Sequence, residues 1–209
     1  MHTATTALAL ALTSACTGAS FAGATTYSDR TTFEAAFGGL TLEDFEGIAP
    51  PGGSVAAPTF TDFTVESGTD FGMSYGVTDA SIAPSAVLFQ FNADDRLIFT
   101  FGVPVNAVGF QLSSVDFFDA FQSGDALIRA FDGSSNELLN VTIGTNSAFS
   151  MSTFFGVSSG TPIARLEVGD APGFAGYVMM DDMLYGVPAP GGAALALLGG
   201  GVCQLRRRR

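Results

Sequence analysis

The strongest constraint on this chain is the spacing of its apolar residues between Phe63 and Tyr185. Phe63 and Val65 alternate with Thr64 and Glu66, and Val87, Phe89 and Phe91 with Gln90 and Asn92. Leu97, Phe99 and Phe101 alternate with Arg96 and Thr100, and Val108, Phe110 and Leu112 continue against Gln111 and Ser113. A period of two sends successive side chains to opposite faces, so each segment reads as a half-buried strand. Ala126 to Phe131 is joined to Glu137 to Ile143 through Asp132-Gly133, a pair suited to a hairpin turn. Ala164, Leu166 and Val168 oppose Ile163, Arg165 and Glu167, and Gly176 to Tyr185 forms the last strand. Helical spacing is absent after Gly39. About eight to ten short strands separated by Gly, Asp and Ser turns specify an all-β chain, an antiparallel β-sandwich with a jelly roll as the expected topology.

Ahead of the strands, Ser28 or Asp29 caps a short N-terminal helix whose Phe33, Ala36 and Phe37 share one face and which Gly38-Gly39 ends. It is expected over one end of a sheet. Leu40 to Glu46 reads as a strand, and Gly47 to Pro58 as a Pro/Gly loop. Of 20 phenylalanines, all but Phe21 lie beyond the first 24 residues, where alternation with polar residues assigns most of them to the core.

Both ends read as addresses. Residues 3 to 26 carry no charge, Ala7 to Leu12 alternate Ala and Leu, and Ala22-Gly23-Ala24 is a small-x-small cleavage site. Residues 1–24 are therefore expected to be a signal peptide, with Thr25 the mature start; a lipoprotein reading of Cys16 is the alternative. Pro188 and Pro190 cannot donate backbone hydrogen bonds, so the chain leaves its domain at Val187. Residues 191–205 are uncharged and end in Arg206, Arg207, Arg208 and Arg209, which suit an anionic cytoplasmic headgroup layer. As an apolar helix outside the fold, that run would reach roughly 22 Å, short of the roughly 20 residues a stable crossing needs. Transient anchoring in the inner membrane fits it better than permanent insertion.

The order of motif, apolar segment and arginine cluster resembles the PEP-CTERM sorting signal of exported proteins from bacteria that make exopolysaccharide. Val187, Pro188, Ala189 and Pro190 stand where that family has Val-Pro-Glu-Pro, with Ala189 in the glutamate position. The resemblance covers residues 187–209 and implies an exosortase-like processing enzyme as partner. It also implies an exported protein of the cell surface or extracellular space, with extracellular polysaccharide as a second partner.

Between the ends, residues 25–186 form one domain of roughly 160 residues, enough for a core of its own. All 20 acidic residues lie there against four arginines, Arg30, Arg96, Arg129 and Arg165, a formal charge of −16. That balance repels phosphate backbones, so nucleic acid is excluded as a partner. His2, Cys16 and Cys203 fall in the end segments, which leaves the domain without imidazole or thiol. Ser-His and Cys-His mechanisms and His/Cys zinc sites are excluded with them. The reading is a non-catalytic surface or matrix protein, not an enzyme. A carbohydrate-binding lectin is the first alternative and a carboxylate-based glycosidase the second. With no Trp in the chain, Tyr75 in its Gly-rich loop is the candidate ring for a sugar face, against the simpler reading that it packs the loop down. Asp116 to Phe121, three aromatics beside two acids, reads either as a plug at one end of the sandwich or as an exposed patch.

Phe45-Glu46-Gly47 and Met180-Asp181-Asp182-Met183 resemble the opening and the terminal strand of jelly-roll carbohydrate-binding modules. The resemblance implies a structural Ca²⁺ held by Glu46 and Asp182. Period-two spacing separately places Asp182 on a face with Val178, Met180 and Leu184, where an unpaired carboxylate is costly. A cation with oxygen ligands would relieve that cost; exposure at a strand end, or pairing with an arginine such as Arg165, would do so equally.

Overall fold

The computed structural model describes residues 23–50, 54–68, 75–78, 87–90, 96–116, 124–145, 151–171 and 176–186. Among them are eleven strands, all antiparallel, and one helix. The fold is an antiparallel β-sandwich, and its frame is a pair of long strands, β7 (Arg96–Asp116) and β10 (Thr153–Asp170). Their ladder runs from Thr153↔Leu112 to Ser158↔Ala107, breaks around Ile163↔Val105, and resumes from Arg165↔Thr100 to Gly169↔Arg96. Pro104 and Pro162 sit in that break, where a missing N–H costs no ladder bond.

The break divides the sheet into two layers. In the first, β4 (Phe63–Ser67) pairs with residues 97–101 of β7, while β8 (Asp125–Phe131) pairs with the far half of β10 and then with β9 (Glu137–Gly144). In the second, β11 (Gly176–Gly186) pairs with residues 107–116 of β7, and β1 (Ala24–Tyr27) with the near half of β10. The outer side of β11 takes β6 (Val87–Gln90) and β2 (Thr41–Glu43); β5 (Tyr75–Thr78) and β3 (Ser54–Ala56) follow β6. The pairings nest, β8 with β9 inside β7 with β10 inside β6 with β11, which is the folded-ribbon connectivity of a jelly roll. One buried cluster fills the space between the layers: Val65, Phe99, Ile128, Leu139 and Leu166 from one, Phe110, Leu112, Phe155, Val157, Val178 and Met180 from the other.

Several sequence expectations change in detail. The segments around Leu97 and Val108 are one bent strand, because the bend shifts the inward phase from Phe101 and Val105 to Val108. Ile163 is buried with Leu166 and Val168 instead of opposing them, since a register shift separates it from Arg165. The loop expected at 47–58 contains β3, and Leu40 to Glu46 keeps only three strand residues. Its strand ends because Phe45 takes a left-handed backbone (φ 57°) and turns its ring into the core, fully buried.

A second, smaller apolar cluster lies on the outer face of the second layer. Helix α1 (Arg30–Ala36) starts at Asp29, whose carboxylate accepts from the Thr32 N–H at 2.8 Å, as an N-cap should. It lies across that outer face, not over an end of the sandwich, because Phe33 is seated there among Tyr27, Phe37, Ala107, Phe154 and Leu184. The seat is a cross-strand glycine pair, Gly109↔Gly156. A Cβ at Gly156 would lie 2.8 Å from the Phe33 ring, and one at Gly109 2.9 Å from it.

Three sequence expectations fall outside the described residues: most of the leader, the whole Val187–Arg209 tail, and residues 117–121 of the acidic-aromatic stretch. β1 begins at Ala24, whose methyl is buried in the main core, so cleavage after Ala24 would start the mature chain one residue inside that strand. Among the described residues no helix is long and apolar enough to cross a membrane.

Candidate functional site

The bend of β7 opens a pocket of about 260 Å³, lined by Thr41, Thr61, Asp62, Phe101, Gly102, Val103, Val105, Tyr185 and Gly186. Four pieces of chain meet there. Thr61 and Asp62 lie immediately before β4, held against the bend by the Gly102 N–H donating to the Asp62 carbonyl at 2.9 Å. Tyr185 comes from the end of β11, and Thr41, its cross-strand partner, from β2. Beneath them Phe63 meets the Tyr185 ring edge-on, centroids 5.6 Å apart, and Phe101 tilts against it at 5.9 Å. Phe60 stacks on the far side of Phe63 at 4.6 Å. Val103 forms the lip and is 72% exposed.

The polar centre of the pocket is one pair. The buried Tyr185 hydroxyl donates to Oδ2 of the exposed Asp62 at 2.9 Å. Burial of the ring pushes the phenol's pKa well above its usual value, and the Asp62 hydrogen bond and charge and the Glu43 charge push the same way. Tyr185 is therefore a neutral donor at physiological pH and Asp62 an anchored acceptor. Chemically the site presents a carboxylate, a phenol and two threonine hydroxyls above an aromatic floor. Such a set can accept from and donate to hydroxyl groups.

The calcium expectation meets a different geometry. β11 carries a bulge between Asp181 and Leu184, with Asp182 in a left-handed conformation (φ 49°). The extra residue slips the phase, so Val178, Met180, Met183 and Tyr185 face the main core and Leu184 joins the Phe33 cluster. Asp182 thus leaves the apolar face assumed for it. Its carboxylate is paired with Arg30 of α1, not with Arg165. Gln111 completes the group, its amide best assigned with nitrogen toward the Met151 carbonyl and oxygen 3.3 Å from Arg30 Nη1. Glu46 is exposed on the turn made by Phe45, its N–H bonded to the Asp44 carboxylate at 3.1 Å. Among the described residues no three His, Cys, Asp or Glu side chains gather at metal distance. A guanidinium on Asp182 already supplies the counter-charge that the cation was expected to bring, so these residues do not fit a Glu46–Asp182 calcium site.

Tyr75 opens β5, opposite Gln90, and is a strand residue instead of a loop residue. The other three arginines converge on the outer face of the first layer. Glu167, 6% exposed, pairs with Arg96 at 2.7 Å, Arg129 at 3.3 Å and Arg165 at 3.4 Å. Arg129 and Arg165 also lie over the Phe131 ring, 4.8 and 4.2 Å from its centroid. This network explains a buried Glu and a buried Phe on a face that alternation assigns to solvent.

Sequence reasoning missed Asp62, Tyr185, Thr41 and Thr61. One signal was available for the pair: Asp62 stands between Phe60 and Phe63, and Tyr185 is the one phenol in the apolar end of β11.

No protein-family model matches the chain, and no curated protein matches it. Among solved structures, a single-residue mutant of the carbohydrate-binding module CBM29-2, complexed with cellulohexaose, aligns at 11% identity over 70% of this chain and 90% of its own, with a TM-score of 0.44. A family 29 carbohydrate-binding module aligns at 12% identity, 70% and 88% coverage and a TM-score of 0.44. The K1 cleaved adhesin domain of Lys-gingipain from Porphyromonas gingivalis W83 aligns at 14% identity, 73% and 100% coverage and a TM-score of 0.40. Similarity this low leaves the site to be argued from this chain's own residues.

Proposed function

We propose that the chain is an exported, non-catalytic protein of the cell surface or extracellular matrix, associated with exopolysaccharide, and that it holds carbohydrate at the β7 bend. The observation that carries the binding role is the Asp62–Tyr185 pair, an exposed acceptor held by a buried neutral phenol that packs on Phe63 and Phe101. Pockets that orient a ligand through a few convergent polar groups on an apolar floor are the common form of small-ligand site. The lining supports binding without turnover. Glycoside hydrolysis by carboxylates needs two of them about 5–9.5 Å apart, whereas this lining supplies Asp62 alone. Export and sorting rest on the sequence: the uncharged leader, and the Val187, Pro188, Ala189, Pro190 motif followed by an apolar run and four arginines.

The full-length chain, expressed in a bacterium that makes exopolysaccharide, tests both halves. Intact mass should show loss of the leader and, for material outside the cell, loss of Arg206 to Arg209. A glycan array should give binding that Asp62→Ala and Tyr185→Phe each weaken, with no products in a hydrolysis screen. Turnover abolished by a single Asp or Glu change would replace this reading with the glycosidase. A freely soluble species that keeps its four terminal arginines would remove the sorting half.

A further inference from the structure

Resting on the β7-bend pocket as a carbohydrate site, we infer that its ligand is a neutral sugar held through neighbouring hydroxyl groups, and that uronic-acid and sulfated polymers are rejected. Tyr185 occupies Oδ2 of Asp62, which leaves Oδ1 as an acceptor on an exposed side chain whose position is fixed from behind. The exposed Thr41 and Thr61 hydroxyls flank it, each able to donate and accept. A carboxylate beside two hydroxyls matches a pair of adjacent sugar hydroxyls, which donate to the acid and accept from the threonines. The apolar C–H face of the same ring can lie over Val103, Val105 and Phe101, and about 260 Å³ suits one such unit of a longer polymer.

Rejection of anions follows from where the positive charge has gone. The chain has no lysine, and residues 25–186 hold four arginines. Arg30 is committed to Asp182 and Glu34 beside α1, while Arg96, Arg129 and Arg165 converge on Glu167 at the outer face of the first layer. None lines the pocket. A sugar carboxylate or sulfate would meet Asp62 with no cation among the described residues of the lining to answer it, and the Glu43 charge is close enough to act on Tyr185 as well. Like charges in one site cost affinity, and salt reduces the cost by screening.

The test uses the full-length protein in affinity electrophoresis against soluble β-1,3-glucan, galactomannan and pullulan, each beside its own C6-carboxylated derivative. For the neutral polymer that binds, the carboxylated form should bind at least tenfold more weakly at low salt, with the gap narrowing as salt rises. Asp62→Asn keeps an oxygen for the Tyr185 hydroxyl and should weaken the neutral polymer several-fold while shrinking the neutral-to-acidic ratio. Thr61→Val, at an exposed position, should weaken the neutral polymer without moving that ratio. Equal or tighter binding of the carboxylated form overturns the inference and leaves a carbohydrate-binding protein standing. Binding indifferent to both variants moves the site elsewhere and overturns it too. Failure to bind any of the six polymers removes the carbohydrate reading and the inference together.

Discussion

The seating of Phe33 on Gly109 and Gly156 can be tested by a double-mutant cycle. Phe33 is fully buried, with ring centroids 5.3 Å from Tyr27, 5.1 Å from Phe37 and 5.6 Å from Phe154. Phe33→Ala should therefore cost about 3–5 kcal/mol, or a fall in melting temperature of about 6–20 °C for a domain of this size. Gly156→Ala puts its methyl 2.8 and 3.1 Å from Phe33 ring carbons and 3.2 Å from Phe154, an overpacking worth about 1–3 kcal/mol. Once the Phe33 ring is gone, that methyl enters vacated space. The double variant should then be more stable than the sum of the singles by about 1–2 kcal/mol, within the range that contacting residues show. Gly109→Ala is the internal control. Its closest contact is with Phe154, at 2.8 Å, and Phe33 follows at 2.9 Å, so removing Phe33 relieves it less. Urea unfolding of the five variants and the parent measures all the terms. Strict additivity for Phe33→Ala with Gly156→Ala would show that the ring does not lie on that glycine, and the placement of α1 would fall with it.

Glu167→Gln should destabilise by about 2–3 kcal/mol in chemical denaturation, because three guanidiniums lose the buried charge that gathers them; a loss within about 0.5 kcal/mol, on the scale of an exposed pair, would show the network to be ornamental. Tyr185, with its phenol pKa raised in the fold, keeps its proton when the unfolded chain, near pKa 10, has lost it. Its stabilising effect is complete below about pH 10 and declines as pH rises through the folded value. Melting temperatures between about pH 9 and 11.5 should fall more steeply in the parent than in Tyr185→Phe, and parallel curves would contradict the buried phenol. Calcium and chelator should give the same melting curve, since Arg30 already neutralises Asp182; a calcium-dependent rise that Asp182→Asn abolishes would displace Arg30 and restore the metal site.

Period-two spacing was enough for the layers, because a core-facing strand must alternate wherever its ladder is regular. It failed where a residue was added or a ladder lapsed. The Asp182 bulge is the clearest case: a single left-handed residue exchanged the faces of Leu184 and Tyr185, and with them the physical case for a calcium ligand. Asp tolerates that conformation better than most residues, and two adjacent acids in an apolar strand were a visible irregularity. Yet the pattern alone does not say on which side of an irregularity the phase slips. Glu167 and Phe131 fail for another reason, since their burial on an outer face is produced by arginines from three strands.

The pocket was hidden by distance along the chain. Asp62 and Tyr185 are 123 residues apart, and neither is unusual in its own segment: one is an acid in a turn, the other an aromatic in a core strand. What joins them is the bend of β7. Pro104 within a run otherwise patterned as strand marked a place where the ladder would lapse, and Gly102 marked a close backbone approach, here its N–H on the Asp62 carbonyl. A strand that changes layers leaves a gap at its corner, and the chain ends that reach that corner line it. Here those are the entry to β4, the end of β11 and the start of β2, so the polar residues at those three termini line the pocket. In a bent-ribbon sandwich, an in-strand proline therefore points to the strand ends that can line such a corner.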